Sequence, residues 1–211
     1  MPLRILLADD HDVVRHGFRA ILERGGFEVA AEAADGREAV RLAAAERPDI
    51  AVLDLAMPQL NGLDAGCQIV QASAGRTRVV LLTMHNEEHQ IIAALRAGIR
   101  GYIVKTEGTT QLIHALREVA AGATYLSPSV CAIVVGAFLS GKELKADPLN
   151  NREREVLQLV AEGRSTKEVA TILGVSVKSA ESYRTRLMDK LNIHETATLV
   201  RYAIRRGLIQ I

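Results

Sequence analysis

The chain contains 211 residues, enough for about one large or two small domains. Hydrophobic residues make up 48% and charged residues 24%, which is an ordinary globular composition. No apolar run approaches the roughly 18–20 residues that span a bilayer, and the N-terminus lacks a signal-peptide pattern, so we expect no membrane contact. Cys67 and Cys131 are well separated and lack metal-binding spacing, which predicts a cytoplasmic protein without a disulfide framework.

Charge is unevenly distributed, although the formal net charge is only +1. Residues 1–122 carry 13 Lys/Arg and 16 Asp/Glu, a net charge of −3. Residues 148–211 carry 11 Lys/Arg and 7 Asp/Glu, a net charge of +4. An acidic first half and a basic second half favour two separate tasks, the second of them near a polyanion.

The first 122 residues alternate short apolar runs with segments of helical periodicity. The apolar runs predict five strands, at 3–8, 27–33, 50–54, 78–83 and 101–105. Each run is followed by a helical segment, and Asp35 is a suitable N-cap for the second of these helices. Five consecutive β-α units predict an α/β fold with a doubly wound, five-stranded parallel sheet.

The pattern changes after residue 122. Ser127-Pro128 can start a short helix, and residues 140–148 predict a hinge. We assign the apolar positions of that short helix to Val130, Ile133, Val134 and Phe138. Beyond residue 150 the sequence predicts helices only, at 152–162, 166–173, 176–191 and 195–206. The predicted organisation is therefore a first domain over 1–122, a linker with a short helix over 123–147, and an all-α four-helix domain over 148–211.

Acidic residues end two of the predicted strands. Asp9 and Asp10 follow the first strand and Asp54 ends the third, so the three carboxylates converge at one edge of a parallel sheet. Clustered carboxylates repel one another unless a cation lies between them, and oxygen ligands with room for water suit Mg²⁺. Thr83 and Lys105 end the fourth and fifth strands and add a hydroxyl donor and a positive charge. These groups suffice for phosphoryl transfer to Asp54, although each residue alone is an ordinary cap or loop residue.

Four motifs in this half resemble those of the receiver domain of two-component response regulators. They are Leu7-Ala8-Asp9-Asp10-His11, Asp54-Leu55-Ala56-Met57-Pro58 with Gly62, Leu82-Thr83, and Tyr102-Ile103-Val104-Lys105. The resemblance covers about residues 3–122 and implies a flavodoxin-like fold in which Asp54 accepts phosphate from a sensor histidine kinase. It also implies that Asp9, Asp10, Asp54 and the backbone carbonyl of Ala56 hold Mg²⁺. Thr83 and Lys105 would contact the phosphoryl group, and Tyr102 would be an aromatic switch that turns inward when Thr83 moves.

The basic half contains two helices separated by Gly174-Val175, the arrangement of a helix-turn-helix whose second helix can enter a major groove. On the second helix the sequence predicts a buried side, formed by Val177, Ala180, Leu187 and Leu191. It predicts an exposed side with Lys178, Glu181, Ser182, Thr185 and Asp189, flanked by Arg184 and Arg186. A charged, solvated helix of an ordinary bundle explains the same pattern, so this point alone leaves both interpretations open.

Three motifs of this half resemble the LuxR-type DNA-binding domain. They lie at 151–163, 166–170 and 176–181, and the whole chain then resembles response regulators of the NarL/FixJ class. The resemblance implies binding to double-stranded promoter DNA through Lys178, Ser179, Glu181, Ser182, Arg184, Thr185 and Arg186. It also implies a homodimer formed through the last helix by Leu199, Val200, Ala203 and Ile204.

The favoured interpretation is a phosphorylation-switched transcription factor that is not an enzyme. An aspartyl-phosphate phosphotransferase or phosphatase is one alternative, but such enzymes have a second acid two residues after the nucleophile, where this chain has Ala56. The other alternative is a receiver whose helical half binds a protein. A gel shift with promoter fragments would distinguish a helical half that binds DNA from one that binds a protein.

Overall fold

The computed structural model of the chain describes residues 1–84, 87–140 and 148–209. This described part forms two compact units, the first over residues 1–57 and 61–140 and the second over 58–60 and 148–209. Most of the predicted hinge, residues 141–147, lies outside the described residues. Among the helices that are described, none is long and apolar enough to cross a membrane.

The first unit is a parallel sheet with helices on both faces. Its strands are β1 (Arg4–Ala8), β2 (Glu28–Ala33), β3 (Ile50–Asp54), β4 (Arg78–Thr83), β5 (Gly101–Val104) and β6 (Tyr125–Leu126). Over the described residues the strand order is β2-β1-β3-β4-β5-β6, with every pair parallel. The predicted doubly wound parallel fold is confirmed, with one more strand than the five expected.

The helices of this unit alternate with the strands as predicted. They are α1 (Asp12–Arg24), α2 (Gly36–Glu46), α3 (Gly62–Ser73), α4 (Glu88–Arg96), α5 (Thr109–Ala120) and α6 (Pro128–Leu139), with a 3₁₀ turn at Lys105–Glu107. Leu22 of α1 and Leu116 of α5 pack in one buried cluster with Ile5, Val52 and Ile103 of the sheet. On the opposite face Gly66 of α3 lies against Val79. Both faces of the central strands are therefore covered, which explains their continuous apolar runs.

The additional strand β6 continues the sheet beyond α5. The backbone N–H of Tyr125 donates to the carbonyl of Arg100 at 2.8 Å, and that of Ser127 donates to Tyr102 at 3.1 Å. Two residues are too few to produce an alternating pattern, which is why the sequence did not predict this strand. Residues 125–127 are thus hydrogen-bonded to the edge of the sheet at β5.

Helix α6 follows β6 directly and packs on α4 and β5. Val130 and Ala137 are buried on its inner side, with Ile133 and Val134 half-buried. Phe138, which the sequence also placed on this helix, is 84% exposed. The helix begins at Pro128 after the N-cap Ser127, as the sequence predicted, and its inner positions are 130, 133, 134 and 137.

The second unit is helical in all of its described elements, as predicted. It contains α7 (Asn151–Ala161), α8 (Thr166–Leu173), α9 (Val177–Leu191) and α10 (Thr196–Arg205). Its core joins all of these helices, through residues that include Val156, Leu159, Val169, Leu173, Ala180, Leu187, Leu199 and Ala203. Each helix buries one apolar side, and the small unit holds together by this shared core.

Candidate phosphorylation site and DNA-binding interface

The strand register brings the predicted site residues of the first unit together. Ala8 of β1 lies beside Leu53 of β3, so Asp9 reaches the level of Asp54. At the next strands Asp54 pairs in register with Leu82 of β4, and Thr83 pairs with Val104 of β5. Asp9, Asp54, Thr83 and Lys105 consequently emerge at the same edge of the sheet.

Lys105 bridges the two buried carboxylates of this pocket. Its Nζ lies 2.8 Å from Oδ2 of Asp9 and 3.0 Å from Oδ1 of Asp54. The Asp9 side chain is 1% exposed and that of Asp54 is 9% exposed. Charge-assisted hydrogen bonds of this length hold the two carboxylates at a fixed separation and neutralise part of their repulsion.

The Asp54 carboxyl is nevertheless in an unfavourable environment for its charge. The pKa of Asp54 is raised to about 6, mainly by burial; Lys105 opposes this increase, and Asp9 and Asp10 add smaller contributions to it. For Lys105, burial alone lowers the pKa of the ammonium, but the Asp54 and Asp9 carboxylates outweigh burial and raise it. The carboxylates of Asp9, Asp10 and Asp54 outnumber the single ammonium of Lys105 in this pocket, which favours an additional cation.

Asp10 and His11 form the solvent side of the pocket. Oδ1 of Asp10 lies 2.8 Å from Nδ1 of His11, while the backbone N–H of His11 donates to Oδ1 of Asp9 at 2.9 Å. Asp10 does not cap α1, whose N-cap is His11. Ligand atoms of Asp9, Asp10 and His11 all lie within 4.8 Å of one another and form a group able to hold a metal ion. No sequence signal points to a role of His11 beyond its place next to the two acids.

The backbone after β3 turns sharply over the Asp54 backbone. A Cβ at Gly62 would lie 2.0 Å from the carbonyl oxygen of Asp54, so only glycine fits here. The Gly62 N–H donates to the carbonyl of Leu55 at 2.9 Å, and Asn61 caps α3 by accepting from the Asp64 N–H. These bonds fix the loop that contains Ala56, which is half-buried beside Asp54.

Thr83 and Tyr102 occupy neighbouring strands below the pocket. Thr83 is buried at the end of β4, and Tyr102 is 1% exposed in β5. Burial raises the pKa of the Tyr102 hydroxyl, and Glu87 adds to the increase. Among the described residues this hydroxyl has no hydrogen-bond partner. Tyr102 is therefore turned into the protein, and its polar atom is unsatisfied there.

In the second unit, α8 and α9 form the predicted helix-turn-helix. Gly174 adopts the left-handed conformation at the end of α8, with φ of 64°, and Ser176 caps α9 by accepting from the Ser179 N–H at 3.1 Å. Arg152 of α7 donates to the Leu173 carbonyl at 2.7 Å and so satisfies the end of α8. The turn between the two helices is thereby fixed at both sides.

A buried acid that the sequence did not single out ties α7 to α9. Glu153 is 2% exposed and completes a capping box with Asn150, since each accepts from the other's backbone N–H at 2.9 Å. Lys190 near the end of α9 donates to Glu153 at 2.7 Å. Burial alone raises the pKa of Glu153, but the bonds from Lys190 and Asn150 lower it overall.

The exposed side of α9 contains the predicted DNA-binding residues. Lys178, Glu181, Thr185 and Arg186 are exposed, and Ser179, Ser182 and Arg184 are half-buried. Several of them hydrogen-bond to each other or nearby: Arg186 to Ser182 Oγ at 3.2 Å, Thr185 to the Glu181 carbonyl at 3.1 Å, and Arg184 to Thr196 at 3.0 Å. Val177 was predicted to be buried, which is wrong, because it is 46% exposed in the first turn of α9.

The apolar stripe predicted on α10 divides into two pairs. Leu199 and Ala203 are completely buried in the core of the second unit. Val200 and Ile204 are half-buried and lie outside that core cluster. Of the four residues expected at a dimer contact, only Val200 and Ile204 therefore keep accessible apolar surface.

An acidic pocket at the edge of a parallel sheet and a separate helix-turn-helix together define the class of phosphorylation-regulated DNA-binding proteins. Residues 5–117 match the response regulator receiver domain family, and residues 147–203 match the luxR family of bacterial regulatory proteins. This chain belongs to the LuxR-type response regulators, which are DNA-binding transcriptional regulators.

Relatives with assigned names extend over the whole chain. The oxygen regulatory protein NreC of Staphylococcus carnosus is 40% identical over 98% of this chain and 99% of its own length. The transcriptional regulatory protein MctR of Rhizobium johnstonii is 36% identical over 98% of this chain and 95% of its own length. Both domains are thus matched together and in the same order.

Solved structures of response regulators are also similar to this chain. The response regulator RcsB of Salmonella enterica serovar Typhimurium, solved with the promoter rprA and BeF₃⁻, has a TM-score of 0.65 and 26% identity over 96% of this chain and 98% of its own. A LuxR-family response regulator from Aurantimonas sp. SI85-9A1 has a TM-score of 0.63 and 36% identity, and covers 66% of this chain and 99% of its own.

Proposed function

We propose that a sensor histidine kinase phosphorylates Asp54 and that this modification regulates binding of the second unit to promoter DNA in the cytoplasm. One observation carries the proposal: Lys105 Nζ contacts both Asp9 and Asp54, at 2.8 and 3.0 Å, in a pocket at the carboxyl edge of the sheet. An Asp54 oxygen would attack phosphorus while the phosphorus–nitrogen bond to the kinase histidine breaks. Lys105 and the Thr83 hydroxyl would then stabilise the phosphoryl oxygens.

The donor set of the pocket fits Mg²⁺. The carboxylates of Asp9, Asp10 and Asp54 offer hard oxygen ligands, and Lys105 is the one ammonium that contacts Asp9 and Asp54 among the described residues. We assign the ion to these residues and to the carbonyl of Ala56. When bound, Mg²⁺ would neutralise charge on the phosphoryl oxygens.

For the second unit we propose DNA binding through the exposed side of α9, as a homodimer that contacts two half-sites. The proposal is supported by the helix-turn-helix geometry, the net charge of +4 over 148–211 and the half-buried pair Val200 and Ile204. The structure of RcsB dimers on two parallel DNAs also supports it, since that protein has a TM-score of 0.58 to this chain.

Labelling with acetyl phosphate and Mg²⁺ tests the first step. Intact-mass measurement should find one added phosphate on the wild type and none on Asp54→Asn. Asp10→Ala should lose labelling as well, because a site that lacks one carboxylate binds the ion poorly. Asp12→Asn, which changes an exposed carboxylate on α1, is the matched control and should be labelled normally. Equal labelling of Asp54→Asn and wild type would exclude Asp54 as the phosphoacceptor.

A further inference from the structure

The 3₁₀ turn that begins at Lys105 is joined at its other end to helix α6. Ser129, in the first turn of α6, donates from its hydroxyl to Oε1 of Glu107 at 2.6 Å. Lys105 and Glu107 are the first and last residues of the turn, so only Thr106 separates them. One short element therefore contacts the two carboxylates of the phosphorylation pocket at its beginning and α6 at its end.

The start of α6 depends on this contact because the helix lacks an acceptor of its own. Ser127 is the N-cap residue, but its side chain makes no capping bond, and the first turn of α6 contains no acidic residue. An acid near a helix N-terminus interacts favourably with the helix dipole. Glu107 supplies that acid from a different element, which is the turn that begins with Lys105.

The position of Glu107 is only weakly stabilised. Its Oε2 is buried and has no hydrogen-bond partner among the described residues, which costs free energy. The hydroxyl of Ser129 makes the one side-chain hydrogen bond to this carboxylate in the part of the chain that the structure describes. Because the gain from one bond is offset by the unsatisfied oxygen, a small displacement of the turn is enough to separate the two residues.

The chain just before α6 is fixed to the sheet and does not follow the turn. The backbone N–H of Ser127 donates to the carbonyl of Tyr102 at 3.1 Å, and β6 pairs with β5. These backbone bonds hold the entry to α6 at strand β5. A movement of the turn relative to β5 therefore changes the separation between Glu107 and Ser129.

Phosphorylation would remove the present partners of Lys105. Its Nζ lies 2.8 Å from Oδ2 of Asp9 and 3.0 Å from Oδ1 of Asp54. In the proposed function an oxygen of Asp54 becomes bonded to phosphorus, and the Asp9 carboxylate is a ligand of Mg²⁺. Lys105 then has to leave these oxygens and bind those of the phosphoryl group.

We propose that the 3₁₀ turn carries this displacement of Lys105 to Glu107 and breaks its bond to Ser129, so that phosphorylation loosens the start of α6. Linkage makes the effect reciprocal: the intact bond opposes occupation of the pocket by the same factor. Glu107 and Ser129 are thus positioning residues for Lys105. This inference rests on the proposed function and assigns α6, the last described helix before residue 148, a part in its regulation.

Hydrogen exchange of α6 tests the loosening directly. The full-length wild type is measured with and without Mg²⁺ and BeF₃⁻, the phosphoryl mimic used with RcsB. Exchange of peptides that cover residues 128–139 should become about 2- to 10-fold faster with the mimic, the factor that corresponds to one net hydrogen bond. Ser129→Ala should exchange at the faster rate without the mimic and change little when it is added. Exchange that is unchanged by the mimic in the wild type overturns the proposal.

Two substitutions on the same helix are the matched controls. Ser129→Thr keeps a hydroxyl at this position and should restore the response of the wild type. Ser140→Ala removes a hydroxyl at the other end of α6, where it donates to the Ala137 carbonyl, and should also respond as the wild type does. A response that is lost equally in Ser129→Ala and Ser140→Ala would mean that general fraying of α6 is being measured, which contradicts the proposal.

Affinity for the mimic distinguishes the coupling from a contact that only caps α6. Titration calorimetry with BeF₃⁻ in the presence of Mg²⁺ should show about 2- to 10-fold tighter binding to Ser129→Ala than to wild type. Glu107→Ala and the double variant should bind as tightly as Ser129→Ala, because all three lack the same bond. A lower unfolding midpoint with unchanged affinity in all three variants would show a cap without coupling and overturn the proposal.

The labelling experiment on Asp54 separates a failure of this inference from a failure of the proposed function. Normal labelling of Asp54 by acetyl phosphate, together with unchanged exchange of α6, overturns the coupling alone. Equal labelling of wild type and Asp54→Asn overturns the phosphoacceptor assignment, and the coupling falls with it.

Discussion

At the scale of single residues, Lys105 and Asp54 determine the electrostatics of the pocket. The lysine is the partner of two buried carboxylates, so removing it would leave both without their nearest compensating charge. Even with this partner, the Asp54 carboxyl has a pKa raised to about 6. The free pocket is consequently strained in the ionised state, and a bound cation or a phosphoryl group relieves that strain.

Because the pKa of Asp54 is raised in the folded protein, the free energy of unfolding should depend on pH. In the unfolded chain Asp54 ionises near its ordinary pKa of about 4, whereas in the folded protein it holds its proton to about pH 6. The folded state therefore binds more protons in this window, and stability falls as pH rises from about 4 to 6. Asp54→Asn should remove this loss of stability. Its free energy of unfolding should exceed that of the wild type by up to about 3 kcal/mol at pH 8 and differ little from it at pH 4.

Urea unfolding of both proteins at pH 4, 6 and 8 without Mg²⁺ measures this difference. Asp12→Asn serves as the control for loss of an exposed carboxylate. A constant difference between wild type and Asp54→Asn across this range would mean that Asp54 is not the group responsible. Adding Mg²⁺ should stabilise the wild type more than Asp54→Asn, since the ion favours the ionised carboxylate.

The sequence could predict which residues meet in the pocket because strand order alone brings the ends of parallel strands to one edge. Asp9, Asp54 and Lys105 are within hydrogen-bonding distance for this reason. The sequence could not predict which acid Lys105 contacts, that Asp10 pairs with His11, or that Tyr102 lies buried with an unsatisfied hydroxyl. These details depend on side-chain packing, which has no signature in the spacing of residues.

At the scale of elements, α9 is held in position from several directions. Ser176 caps its beginning, Lys190 contacts the buried Glu153 near its end, and Arg184 bonds to Thr196. A recognition helix that is fixed in this way presents its exposed side at a defined angle. Phosphate-contacting and base-contacting residues on that side should then respond differently to substitution.

Lys178→Ala should weaken binding to all DNA sequences and reduce the salt slope by about one unit, because the lysine contributes charge without sequence information. Ser182→Ala and Thr185→Ala should each cost about 1–3 kcal/mol on the preferred site and leave non-specific binding nearly unchanged. Binding to a specific and a scrambled duplex over a range of salt concentrations measures both effects. Equal losses on the two duplexes for Ser182→Ala and Thr185→Ala would mean that these hydroxyls do not read bases.

Prediction of whole elements succeeded where periodicity extends over many residues and failed where it is short. All helices of the second unit were predicted within one residue of their ends. The two-residue strand β6 was missed. In α9 the apolar Val177 was expected in the core, but in the first helical turn it lies beyond the core residues Ala180 and Leu187.

At the scale of the whole molecule, charge and apolar surface are divided between the two halves. Residues 1–122 carry a net charge of −3 and residues 148–211 a net charge of +4, which directs DNA to the second half. Apolar surface remains accessible on α6 in the first unit and at Val200 and Ile204 in the second. Each unit thus keeps some accessible apolar surface.

The half-buried Val200 and Ile204 of α10 can be tested as the contact between two copies. Val200→Lys combined with Ile204→Lys should leave binding to a single half-site unchanged, because both residues lie outside the core cluster and on a different helix from the proposed DNA-binding residues of α9. Binding of the second copy to a duplex with two half-sites should weaken at least about tenfold, since two apolar side chains from each copy lose their contact. Sedimentation velocity on one-site and two-site duplexes measures the affinity for a single half-site and the affinity of the second copy. Val13→Lys is the control. Two copies bound with unchanged affinity in the double variant would show that α10 is not the contact between them.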